Sequence, residues 1–254
     1  MIVNRIVGPD KASSKLSSWN SECLSWLNIR WSRGVHIGRP LSQWWEATGY
    51  LCMLLAAGIM RFWDLGSRAM HHDESLHAFY SWSLYKGDGY IHNPMMHGPF
   101  QFLGTAAIFL ALWDSDFTVR LLPVLFGTLL VATPILLRRF LGRSGALFTG
   151  LLLCISPTTL YFSRFARNDV YMAVWTMLLV AFIWRFIESG KNRYLVLLAA
   201  TLALAFSTKE STFIIVFVLS SYLLVSAYKD IGSWLIGRKH LRAFSRQGSL
   251  LVLL

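Results

Sequence analysis

Long charge-poor runs dominate the chain, separated by short polar or charged segments. They fall at about 44–63, 99–113, 119–137, 144–162, 170–187, 194–208 and 211–228. Each predicts a helix. A helix rises ~1.5 Å per residue and a bilayer's hydrocarbon core is ~30 Å thick, so several runs only just suffice to span. Those rely on flanking aromatics or snorkelling arginines to reach both faces. A further apolar run opens at Leu250 and reaches Leu254, which predicts the front part of a longer protein.

Composition agrees with a membrane protein. Over 254 residues, 55% are hydrophobic and only 15% charged, against ~25% charged in soluble domains. Disordered, collagenous and disulfide-framework classes are excluded. Cys23, Cys52 and Cys154 are scattered without CxxC or Cys/His spacing, so neither a zinc site nor a disulfide scaffold is read. The net charge of +11 sits between apolar runs, which points to topology and anionic lipid rather than nucleic acid. Residues 1–40 form a basic tail with no signal-peptide core. Its Trp19, Trp26 and Trp31, with three leucines, suit either a short helix on the bilayer surface or a mobile tail.

The run 99–113 decides the topology. With the N-terminus inside and this run lying along the outer surface, 17 Lys and Arg fall inside and 7 outside. Were it to span, the numbers would become 10 and 14, against the positive-inside rule. The expected fold is therefore all-α: a polytopic bundle of about six spans, with two outer surface helices near 75–86 and 98–113. Eight of the 13 acidic residues then lie outside. The chain divides into the tail 1–40 and a transmembrane domain 41–254, whose outer loop covers 64–118.

That outer loop holds the unusual chemistry. Five of seven histidines lie between 71 and 97, beside Asp73, Glu74 and Asp88. Asp73 and His77, four apart, share a helix face. Asp73 and Glu74 suit either a helix's first turn or proton transfer, and the histidines either role or divalent-metal ligation. His72-Asp73-Glu74 has no regular ligand spacing, so no metal or other cofactor is assigned. His97 lies in a turn-rich segment ahead of the second surface helix. A second outer loop carries Arg164, Arg167 and Asp169, and a third carries Lys209 and Glu210. Outer cations are disfavoured by topology, so these three beside acidic loops make a seat for an outer-leaflet phosphate. In that arrangement Asp73 deprotonates an acceptor hydroxyl, and Arg164, Arg167 and Lys209 stabilise a departing lipid phosphate.

The order of these features resembles the polytopic GT-C glycosyltransferases. It runs from Asp73-Glu74 to Val119-Arg-Leu-Leu-Pro123, Arg139-Phe-Leu-Gly-Arg143, Ser156-Pro157, Arg164-Phe-Ala-Arg-Asn-Asp169 and Thr208-Lys-Glu. The protein mannosyltransferase and lipid A aminoarabinose transferase group is the most similar. His-His-Asp-Glu-Ser with His97-Gly-Pro looks most like the flippase-activity-associated membrane branch. The resemblance covers about 40–230. It implies a polyprenyl- or dolichyl-phosphate sugar donor, Asp73 as base with Glu74 beside it, Asp169 as a second outer-loop acid and Lys209 as the lipid-phosphate lysine. Arg164 and Arg167 join the donor site by charge placement, and His97 and His72 are further candidates to bind there. Most of this group works without metal.

The expected function is sugar transfer from the lipid-linked donor to an unidentified acceptor on the extracytoplasmic face of the plasma membrane. A non-catalytic membrane subunit, in a larger complex or assisting lipid-linked sugar flipping, is the alternative. A transporter would carry ionisable residues at mid-bilayer, and the span centres hold almost none.

Overall fold

The computed structural model describes residues 43–90, 96–236 and 245–254. The reading of the tail 1–40 and of His92 lies outside these residues. The described elements are helical. They are α1 (Gln43–Phe62), α2 (His72–Lys86), α3 (Phe100–Leu112), α4 (Asp116–Ala132), α5 (Arg138–Ile155), α6 (Pro157–Ser163), α7 (Asp169–Ser189), α8 (Asn192–Phe206), α9 (Thr212–Ser226), α10 (Tyr228–Leu235) and α11 (Arg246–Leu253). All six runs read as spans are helical. Two stretches, Asp116–Ile155 and Asp169–Ser189, are long and apolar enough to cross a membrane, while Asn192–Phe206 and Thr212–Ser226 are shorter apolar helices.

Two of the expected spans are interrupted. The run 119–137 ends as an α-helix at Ala132 and tightens into a 3-10 turn, Thr133–Leu137, begun by Pro134. Gly142, at φ 73°, then lets the chain double back. Val131 consequently faces Gly150, and Gly127 faces Ser163, so α4 runs antiparallel to α5 and α6. The run 144–162 breaks at Ser156, because Pro157 disfavours helical geometry in the residue before it. The Ser156 hydroxyl then accepts from the Thr159 N–H and starts α6.

Polar contacts sort the bundle into two ends. At one end Glu46 pairs with Arg138 (3.1 Å) and Arg143 (3.7 Å), and Arg139 pairs with Glu188 (2.7 Å). At the other end lie the loops after α1, α6 and α8. Both ends of α3 belong to this second end: Gly98 and Phe100 donate to Thr208 and Ser207, while Phe109 packs with Val119 and Ala166. The helix therefore returns to the side it started from, as the charge count predicts.

The core beneath that end is aromatic. Phe100, Phe126, Tyr171 and Trp175 meet edge to face at 5.0–5.6 Å between ring centres. Trp175 Nε1 donates to Thr208 Oγ1 at 3.0 Å, fixing the third loop against α7.

Candidate functional site

Local chemistry at the start of α2 sets which way each carboxylate points. His71 is the N-cap, and its Nδ1 accepts from the Asp73 N–H at 3.3 Å. Glu74 reaches back to the His71 N–H at 3.1 Å, which closes a capping box. This turns Glu74 inward and leaves Asp73 half-buried at the surface. Glu74 is fully buried and accepts from Arg120 Nε and Nη2 (both 3.0 Å), Arg68 Nη2 (3.3 Å) and the Ala166 N–H (3.1 Å). Burial alone would raise its pKa, but the Arg120, His71 and Ala166 hydrogen bonds outweigh it and hold the carboxyl below the usual glutamate range. Arg120 also donates to the carbonyls of Leu65 (2.9 Å) and Arg68 (3.0 Å). The pair thus joins the loop after α1, the start of α2 and the loop after α6.

A chain of four charges runs across the joined loops. Arg167 Nη1 lies 3.2 Å from Asp73 Oδ2, and its Nε lies 3.6 Å from Asp169 Oδ2. Lys209 Nζ donates to Asp169 Oδ1 at 2.7 Å. Next to Lys209, Glu210 Oε2 meets His97 Nδ1 at 2.8 Å. His97 takes a left-handed backbone (φ 64°), and Gly98 after it packs so closely that a side chain there would overlap the Ser207 carbonyl. All four members of the chain keep 21–40% of their side-chain surface exposed, so a ligand can reach them.

The structure thus gathers Asp73, Arg167, Asp169 and Lys209, with His97 at the edge. Arg164 is not among them. Its guanidinium donates to the carbonyls of Trp63 (2.7 Å) and Asp64 (3.1 Å), which holds the end of α1. His72 stands exposed in the first turn of α2. Among the described residues no three His, Cys, Asp or Glu side chains converge as a metal site would require.

Three residues matter here that the sequence did not single out for the site. Arg120 lies in the Arg-Leu-Leu-Pro motif and is the buried partner of Glu74. His77, on the Asp73 face of α2, is 5% exposed, and its pKa is lowered to about 4, chiefly by burial, with His97 and Arg167 adding to the fall and Asp73 and Asp169 partly offsetting it. Asn168, between the two charged residues of its loop, is 1% exposed. The i, i+4 spacing from Asp73 signals His77, whereas nothing in the sequence signals that Asn168 is buried. Beside His77, Phe102 also walls an aromatic cleft of about 160 Å³ shared with Phe79, Tyr80 and Tyr90.

A family model described as dolichyl-phosphate-mannose-protein mannosyltransferase matches residues 96–245. Among solved structures, the chain is similar to the crystal structure of ArnT from Cupriavidus metallidurans bound to undecaprenyl phosphate. The TM-score is 0.60 at 20% identity, over 84% of this chain and 40% of that one. The chain therefore spans less than half the length of that structure. No curated protein matches it.

Proposed function

Because the chain belongs to the dolichyl-phosphate-mannose-protein mannosyltransferase family, we propose that it carries the donor site of a membrane glycosyltransferase that takes its sugar from a polyprenyl-phosphate carrier. The solved relative was crystallised with undecaprenyl phosphate, which supports a donor of that class. The chain is a membrane protein. Its multi-pass arrangement, cytoplasmic N-terminus and outward-facing site are part of the proposal.

The observation that carries this reading is the accessible bridge of Arg167 between Asp73 and Asp169, with Lys209 on the far carboxylate. A lipid phosphate competes with the carboxylates for the same two cations. When it takes Arg167, Asp73 loses that partner and is left facing an incoming hydroxyl. Asp73 then accepts the hydroxyl proton while the oxygen attacks the sugar's anomeric carbon. The bond from that carbon to the phosphate oxygen breaks. The polyprenyl phosphate departs with its new charge held by Arg167 and Lys209. Glu74, already saturated, positions Asp73 rather than taking part. No step of this transfer uses a metal, so EDTA should leave it unchanged.

The test uses the full-length protein in nanodiscs with dolichyl-phosphate mannose and dolichyl-phosphate glucose. Asp73→Asn should lower sugar transfer at least ~100-fold while retaining donor binding. Lys209→Ala should weaken donor binding about tenfold. Wild-type rates in both variants would overturn the assigned roles. Donor binding without turnover in the wild type would favour the non-catalytic subunit.

A further inference from the structure

Buried polar atoms in folded proteins nearly always find partners, so groups that lack one call for a reason. Asn168 is 1% exposed, and neither its Oδ1 nor its Nδ2 has a hydrogen-bond partner. It sits between Arg167 and Asp169, in the middle of the ionic chain. His77, 5% exposed, has an unpartnered Nδ1 and lies within electrostatic reach of Asp73, Arg167, Asp169 and His97. Gln101 Oε1 and Thr105 Oγ1, one turn apart on α3, are likewise buried and unpaired, as is the Tyr171 hydroxyl on the first turn of α7. Tyr171 packs against Phe100, the residue before Gln101, at 5.3 Å between ring centres. These atoms come from α2, α3 and the start of α7, the elements that border the four-charge chain; on α1 the Tyr50 hydroxyl and Arg61 Nε are also buried and unpaired.

These groups are neutral, and they both donate and accept. The Asn168 amide offers two N–H donors and a carbonyl, and a neutral imidazole offers one of each. A phosphate would prefer the cations beside them. A ring of vicinal hydroxyls, each able to donate and accept, matches the neutral set. We propose that Asn168 and His77 bind the hydroxyls of the donor's neutral monosaccharide, next to the cations that hold its phosphate. This rests on the donor reading above and adds which residues recognise the sugar. It also gives a role to buried polar groups that have no partner within the chain, since such groups reduce stability unless a ligand satisfies them.

The experiment measures binding of dolichyl phosphate and of dolichyl-phosphate mannose or glucose to the full-length protein in nanodiscs, together with its melting temperature. Asn168→Leu is close to isosteric and removes both unpaired atoms. It should weaken binding of a sugar-bearing lipid about tenfold, leave dolichyl phosphate within twofold, and melt no lower than the wild type. His77→Phe should show the same selectivity and stands in if Asn168→Leu fails to fold. Lys209→Ala should weaken both kinds of lipid. Equal losses for bare and sugar-bearing lipid, or none for either, would overturn sugar recognition while the donor reading stood. A lower melting temperature with parallel losses would identify Asn168 as structural and likewise overturn it. A wild type that binds none of the lipids would remove the donor reading, and this inference with it.

Discussion

Glu74 and Arg120, 46 residues apart, meet in a two-point ion pair with both contacts at 3.0 Å and neither side chain more than 1% exposed. Breaking a buried pair on one side leaves an uncompensated charge, which costs ~3–5 kcal/mol. Arg120→Met and Glu74→Gln should each lower the melting temperature markedly, and both should lose donor binding because the Asp73 and Arg167 loops separate. The lowered pKa of Glu74 also sets an acid limit. Its contribution is complete above the usual glutamate value and is lost as pH falls through the lower folded value. Melting followed below pH 5 should show a shallower acid limb in Glu74→Gln than in the wild type.

His77 acts on stability in the opposite protonation state. Its folded value of about 4 lies below the ordinary 6.5, so the unfolded chain takes up a proton that the folded chain refuses. Stability attributable to this residue should be complete above pH 6.5 and fall by up to ~3 kcal/mol as pH drops towards 4. Asp73, Asp169, Arg167 and His97 face the same imidazole, so the comparison is with His77→Phe under identical conditions. The variant should melt with a flatter dependence between pH 5 and 7; an unchanged slope would show that the imidazole is not the group responsible.

Gly98 lets the segment before α3 lie against the third loop, where it donates to the Thr208 carbonyl at 3.2 Å. A methyl group there would overlap the Ser207 carbonyl, which is backbone and cannot rotate away. Gly98→Ala should cost ~1–3 kcal/mol of stability and weaken donor binding by displacing Lys209. Thermal melting and lipid titration on the same preparation test both effects.

Arg167→Lys is not conservative here. The guanidinium touches Asp73 through Nη1 and Asp169 through Nε, and an ammonium is a single point charge that cannot hold both in that geometry. Donor affinity should fall about tenfold although the charge is kept. Equal affinity in Arg167→Lys and wild type would mean that charge alone suffices.

Orientation can be tested by labelling. A cysteine placed at His72 should react with a membrane-impermeant maleimide from outside intact cells. One placed at Arg139, at the opposite end of the bundle, should react only after permeabilisation. The same accessibility at both positions would contradict the assigned topology.

Much of the architecture was legible in the sequence because bilayer thickness and charge asymmetry act on composition alone. Charge-poor runs of near-spanning length predicted helices, and the positive-inside count returned the run 99–113 to the side it came from. The two interruptions at Pro134 and Ser156 were less visible. Hydropathy averages across a proline, whereas the backbone must respond to it. Within the site, residue types and order pointed to Asp73, Arg167, Asp169 and Lys209, since outer cations beside acids are unusual in a membrane chain. Only tertiary structure separated Arg164 from Arg167, three positions apart, because a loop's direction decides which guanidinium reaches a carboxylate and which a carbonyl. It likewise turned Glu74 inward while Asp73 stayed accessible. The capping box at His71 and the buried Arg120 fix that rotation, and both depend on contacts between segments distant in the chain. Burial of Asn168 and His77 is a property of packing among α2, α3 and α7, which no local pattern of residues encodes.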